Sequence, residues 1–107
     1  MENVHPVRSL NLQVKYPVDD LKFPLGRIMA TPKVLQTLAN SDIHEALTRH
    51  QAGDWGDVDE HDRKENELSL REGFRLFSVY HSIGGIRFWI ITEADRSQTT
   101  VLFPEEY

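Results

Sequence analysis

Four side chains of this sequence could together cleave RNA without a metal ion. They are His50, Glu93, Arg75 and Arg96. A glutamate can act as general base on the 2′-hydroxyl, a histidine as general acid, and arginines can stabilise the charge of the phosphate. The alternative interpretation is structural. In it, His50 ends a helix at the edge of the core, and Glu93 and Arg96 belong to an ion-paired hairpin loop.

A second set of candidates lies in the stretch "GDWGDVDEHD", where acidic residues surround a tryptophan. As a ligand loop, it would present Asp54 and Trp55 to a partner, and the following acids would extend the contact surface. The predicted binding residues are Asp54, Trp55, Asp57, Asp59, Glu60 and Asp62. The alternative is a structural corner, in which the glycines allow a tight path and Trp55 fills the core.

The spacing of the same acidic residues does not match the calcium-site pattern and gives only weak support to another metal site. A helix-loop-helix calcium site needs glycine at its sixth position, and none stands there when counting begins at Asp54 or Asp57. A site built from His61, Asp57 and Asp62 is a weaker alternative to a solvated helix start, where the helix dipole favours acids. We therefore predict neither a metal nor a cofactor.

The net charge of −5 is concentrated in one place. The segment 54–67 has seven acidic and two basic residues, and the rest of the chain has ten of each. An acidic balance argues against a nonspecific nucleic-acid binder, which needs a basic face. A localised acidic patch can instead attract a basic protein partner. Nucleic acid is expected only if the ribonuclease hypothesis holds.

Helical patterns occupy the middle of the chain. Thr31 and Pro32 have the types expected at the N-cap and first position of a helix. A second helix is predicted over "SDIHEALTRHQAG", with a capping box at Asp42 and Glu45 and a stop at Gly53. Its apolar stripe includes His50, and its C-terminal dipole should favour the histidinium ion. A third helix is predicted to begin near Asp57 or Asp59 and to end at Gly73.

Strand patterns flank the helices. "SLNLQVKY" alternates like a strand, and "LKFPLGRIMA" is predicted to be an edge or irregular strand because of its proline and glycine. "FRLFSVYHS", "IRFWIITE" and "TTVLFP" predict a three-stranded antiparallel meander. The expected fold is α+β, with two to three short helices packed on this meander and an additional N-terminal strand or hairpin. Both faces of the middle strand carry large apolar residues, so the N-terminal segment or a second subunit could cover the second face.

The bulk composition fits one domain over 1–107. Cysteine is absent, which excludes disulfides and thiolate metal sites, and no apolar run has the ~20 residues of a membrane span. The N-terminus lacks the apolar core of a secretory signal. We expect a cytoplasmic protein without membrane contact, and a homodimer is one possible state.

The motif His50-x-x-Gly53-Asp54-Trp55-Gly56-Asp57 and the motif Thr92-Glu93-Ala94-Asp95-Arg96, followed by Thr99-Thr100, carry a resemblance. With these motifs, the segment 21–107 resembles a family of short, largely uncharacterised bacterial proteins of plasmids and integrative elements. Residues 1–20 lie outside the pattern and are expected to be an extension. The resemblance implies a mobile-element setting and transfers no catalytic residue.

These observations lead to two hypotheses of function. The first is a small soluble accessory protein of a mobile genetic element, which binds a protein partner through its acidic surface and has a regulatory role. The alternative is a small, metal-independent ribonuclease of the toxin type. The overall acidity weighs against the enzyme, because its substrate backbone needs a basic groove.

Overall fold

A computed structural model describes the backbone of residues 5–6 and the whole of residues 21–107. In these ranges the strands are β1 (His5–Pro6), β2 (Arg27–Ala30), β3 (Leu76–His81), β4 (Arg87–Thr92) and β5 (Gln98–Leu102). The helices are α1 (Pro32–Thr37), α2 (Asn40–Gln51) and α3 (Glu60–Glu72), and a short 3-10 helix spans Pro104–Glu106. The strand predicted over "SLNLQVKY" lies outside the described residues. No helix in the described ranges is long and apolar enough to cross a membrane.

The strands form one mixed sheet in the order β1-β2-β5-β4-β3. Strands β3, β4 and β5 pair antiparallel in sequence, and β2 joins β5 in the parallel direction. Strand β1 adds only a two-residue pairing to β2. The α+β class is therefore confirmed, but a meander alone does not describe the sheet. The segment that we expected at an edge or as an irregular strand, "LKFPLGRIMA", supplies β2 between β1 and β5.

The helix ends follow local side-chain chemistry with one exception. Thr31 caps α1 by accepting the Val34 backbone N–H, and Asp59 caps α3 by accepting that of Asp62. Gly73 ends α3 in the left-handed conformation. The predicted capping box of α2 is wrong: the helix begins before it, with Ala39 at the N-cap and no side-chain cap.

The main core lies between the sheet and helices α1 and α2. The strands contribute the buried side chains Ala30, Leu76, Tyr80, Phe88, Ile90 and Val101. Val34 of α1 and Ile43 and Leu47 of α2 pack against them and have no exposed surface. Alternation along β4 puts Phe88 and Ile90 on this face and turns Trp89 to the opposite face. Phe88 and Ile90 therefore belong to the main core, whereas Trp89 lies on the face away from α1 and α2.

The outer edge of β3 is closed by groups from the chain itself. The side-chain amide of Asn66 donates to the Phe77 carbonyl and accepts the Phe77 backbone N–H, at 2.6 and 3.0 Å. The Val79 N–H donates to the Trp55 carbonyl, and the Val79 carbonyl accepts the Asp57 N–H. An open edge would offer these backbone groups to another strand. Here they are already satisfied.

Gly56 makes this edge contact possible. Its φ is +74°, and a Cβ built on it would lie 2.0 Å from the Val79 carbonyl oxygen and 2.8 Å from the Tyr80 ring. Both observations exclude a side chain, because left-handed backbone disfavours L residues and the neighbouring atom is backbone. The second glycine of "GDWGD", Gly56, is therefore explained by the closed edge of β3.

We predict that Gly56→Ala destabilises the protein by about 2 to 5 kcal/mol, from left-handed strain together with the overlap at Val79. Gly73→Ala is the matched control, because Gly73 also has a positive φ but no atom within 4 Å of the added Cβ. It should cost about 1 kcal/mol. Urea denaturation of the three proteins measures both losses, and equal losses would show that the approach to Val79 is not the constraint.

Candidate functional site

His50 lies in the core, where none of its surface reaches solvent. Its Nδ1 is 2.6 Å from the Ser78 hydroxyl and its Nε2 is 2.9 Å from the Thr92 hydroxyl. The rings of Phe23 and Trp55 contact the imidazole edge to face, with centroids at 5.1 and 5.7 Å. Both ring nitrogens are therefore occupied, and the remaining perimeter is aromatic.

The hydrogen bonds around His50 form a chain with a fixed direction. The Thr99 hydroxyl donates to the Leu25 carbonyl at 2.7 Å, so it must accept from the Thr92 hydroxyl, 2.7 Å away. Thr92 has then used its proton, and it accepts from Nε2–H of His50. Nδ1 is left as an acceptor for the Ser78 hydroxyl. The chain specifies a neutral imidazole with its proton on Nε2.

Burial lowers the pKa of His50 from its ordinary value of 6.5 to about 3, with a smaller contribution from the positive charge of Arg96. The sequence favoured the opposite direction, because the ring sits near the C-terminus of a helix. Desolvation outweighs the dipole here because the side chain is fully removed from water. His50 is neutral at physiological pH.

The four side chains of the ribonuclease hypothesis do not meet. His50 contacts Thr92 from the helix side of the sheet, whereas Glu93 pairs with Arg75 at 3.7 Å on the other side. The Arg96 guanidinium donates to the backbone carbonyls of Ser69, Phe74, Glu93 and Ala94. Arg96 thus joins the end of α3 to the loop after β4. The catalytic roles predicted for His50 and Arg96 are corrected to structural ones.

Two of the predicted binding residues also have structural roles. Trp55 is 4% exposed, stacks on Phe23, and donates its indole N–H to Glu67 at 2.7 Å. Asp54 is exposed, but its carboxylate accepts from Arg49 Nε at 2.8 Å and from the Gly56 N–H. The hydrogen bond from Arg49 is the main cause of the lowered pKa of Asp54. Trp55 is therefore excluded from the surface, and the Asp54 carboxylate is already engaged by Arg49 and by the Gly56 N–H.

An open trough lies on the sheet face that α1 and α2 leave free. A hollow of about 490 Å³ is lined by Asp57, Val58, Asp59, Asp62, Phe77, Val79, Arg87 and Trp89. A second, more apolar hollow of about 250 Å³ is lined by Arg75, Leu76, Phe77, Trp89, Ile91 and Tyr107. The two hollows share Phe77 and Trp89, whose rings meet edge to face at 4.9 Å. We call this combined surface the trough.

The acidic residues of the segment 54–67 differ in their partners. Away from the trough, Asp54 pairs with Arg49 and Glu60 pairs with Arg63, whereas Glu67 accepts the indole N–H of Trp55 and Glu65 lies 4.0 Å from His61. Asp57, Asp59 and Asp62 line the trough and have no lysine or arginine partner among the described residues. Asp57 and Asp62 lie 3.9 and 3.4 Å from His81 and His61, which attract them only when protonated. Three of the five carboxylates of this segment that have no lysine or arginine partner among the described residues therefore line the trough.

Asp59, His61 and Asp62 form the group in the described ranges whose ligand atoms lie close enough for a metal, within 4.8 Å of one another. Asp57, which the sequence placed in such a site, is replaced there by Asp59. Asp59 already accepts the Asp62 backbone N–H at 2.8 Å as the cap of α3. Exposed carboxylates at a helix start are explained by capping and by the dipole, so this group supports no metal proposal.

The sequence did not single out Phe77 and Trp89 as site residues. The signal was the alternation of β4, which puts Arg87, Trp89 and Ile91 on the face opposite Phe88 and Ile90. A tryptophan near an arginine, on the face that helices α1 and α2 leave free, indicates a contact surface. The acids Asp57, Asp59 and Asp62 were among the predicted binding residues, and they form one wall of the same trough.

The chain matches no protein-family model, and neither a curated protein nor a solved structure matches it. The resemblance to mobile-element proteins stays a prediction.

We predict that His50 makes stability depend on pH. With a folded pKa of about 3, the unfolded chain binds a proton that the folded chain excludes. Stability is then full above pH 6.5 and falls as the pH drops towards 3, by about 2 kcal/mol between pH 7.5 and 5. Urea denaturation at both pH values should show this loss in the wild type. In His50→Gln the loss should be smaller by about that amount, and the same loss in both proteins would contradict the assignment.

Proposed function

We propose that this protein is a binding module that holds a partner protein in the trough, with Asp57, Asp59 and Asp62 as its charged wall. The observation that carries the proposal is that acidic and aromatic side chains line the same hollow. Unneutralised acids and half-buried aromatic rings line one open hollow of about 490 Å³. Interfaces combine aromatic side chains at their centre with a polar rim.

The charge pattern supports a basic partner. The three carboxylates belong to the segment whose net charge equals that of the whole chain, −5. Opposite charges on two surfaces raise the rate of encounter and disfavour wrong partners. Glu60, a further predicted binding residue, is exposed at the start of α3 and already pairs with Arg63. We place it outside the contact.

The proposal does not extend to catalysis. Arg75 lines the trough and pairs with Glu93, but His50 is buried across the sheet and the Arg96 guanidinium is bound to carbonyl groups. A regulatory role on a bacterial mobile element is part of the proposal. It rests on the resemblance of the segment 21–107 alone.

Neutralising two of the three carboxylates of the charged wall should weaken partner binding. We predict that Asp57→Asn with Asp62→Asn weakens capture of a partner from bacterial lysate at least tenfold, because the cation of the partner loses its counter-charge. Asp59 is kept, since it caps α3. Quantitative pull-down with the tagged full chain measures the recovery.

The matched control is Glu65→Gln with Glu72→Gln. It changes the net charge equally, at exposed acids of α3 that do not line the trough. It should recover the partner like the wild type. Equal recovery by all three proteins would refute the acidic wall, and equal loss in both variants would show that only total charge matters.

A further inference from the structure

We infer that the trough takes an extended segment of the partner in which a lysine or arginine stands close to a large apolar side chain. The inference rests on the proposed function and names the chemistry of the occupant. Three features of the trough lead to it: an aromatic floor, an acidic wall and a closed strand edge.

The floor is apolar and only partly covered. Phe77 and Trp89 are half-buried, and Val79, which pairs with Trp89 across the two strands, is 1% exposed. The indole N–H of Trp89 is closed to solvent and has no acceptor among the described residues. Such a donor costs free energy while it is unsatisfied. A large apolar side chain would cover these rings, and a small turn of the indole would offer its N–H to a carbonyl of the segment.

The acidic wall specifies the charge of the occupant. Asp57, Asp59 and Asp62 stand along one side of the floor, and none has a lysine or arginine partner in the described ranges. A cation placed between them and the aromatic rings gains from both, because ring faces attract cations. Arg87, which lines the same hollow, forms no ion pair with a described residue, and its guanidinium can donate to carbonyl groups of the segment. An acidic segment would meet three like charges.

The closed edge of β3 decides how the segment lies. Asn66 and the corner at Trp55 and Asp57 already occupy the outward backbone groups of Phe77 and Val79. The partner cannot extend the sheet as an added strand at these positions. It must lie on the face of the sheet, along β3, and be held by side chains. The face of β3 is six residues long, which is about 20 Å, so the trough suits about five or six extended residues.

Selection from random decapeptides displayed on phage tests this chemistry without an identified partner. The bait is the intact chain, and a parallel selection uses Asp57→Lys with Asp62→Lys. The wild type should enrich sequences with lysine or arginine within three residues of a large apolar residue. The charge-reversed chain should lose these sequences and enrich glutamate or aspartate at the same place. Circular dichroism confirms that both baits are folded.

The best wild-type sequence is then synthesised and titrated against the intact chain. Binding should change tryptophan emission through Trp89, and Trp89→Phe should abolish the change, because Trp55 is buried away from the trough. Affinity should fall at least tenfold in the charge-reversed variant and should weaken as salt is raised. Asp95→Lys, an exposed acid outside the trough, should leave the affinity unchanged.

Each other outcome overturns the inference. Enrichment of acidic or purely apolar sequences by the wild type would contradict the chemistry, and so would the same sequences from both baits. No enrichment, with a dimer in light scattering that the charge reversal dissociates, would assign the trough to a second copy of the chain. If the lysate partner still depends on Asp57 and Asp62 in these cases, the proposed function stands and only the partner chemistry fails.

Discussion

One buried chain of hydrogen bonds connects the parts of the main core. It runs from Ser78 through His50, Thr92 and Thr99 to the Leu25 carbonyl, and so joins β3, α2, β4, β5 and the segment before β2. Each member has one place for its proton, because the last acceptor is a carbonyl. Loss of any member would leave a buried polar group unsatisfied, at about 1 to 3 kcal/mol. The chain therefore fixes how α2 sits on the sheet.

The position of His50 also determines where the segment after α2, which contains Trp55 and Asp57, lies on the sheet. Trp55 packs against the imidazole and Phe23, so the segment that follows α2 is drawn against the sheet. There it passes along β3, and Gly56 allows backbone contact at Val79. This contact closes the strand edge and brings Asp57 beside the free sheet face. One packing arrangement thus protects an edge from nonspecific pairing and creates the charged wall of the trough.

Local patterns in the sequence predicted many of the elements. Thr31 and Asp59 cap the starts of helices and Gly73 ends one, as their residue types suggested. The three strands of the C-terminal third lie where the alternation indicated. These features depend on neighbours a few residues apart. The parallel pairing of β2 with β5 was not predicted, because the partners are about seventy residues apart. The start of α2 was also missed, since Ala39 caps it without a side-chain bond.

The sequence by itself determined the location of the charge, the type of most elements and the α+β class. It left open the direction of each key side chain. Trp55, between glycines and acids, had the surroundings of an exposed ring and is buried, whereas Trp89, within an apolar strand, lies in the open trough. Only the tertiary structure decided this. Exposure depends on which distant residues cover a ring, and here His50 and Phe23 cover Trp55 while helices α1 and α2 pack on the other face of the sheet from Trp89.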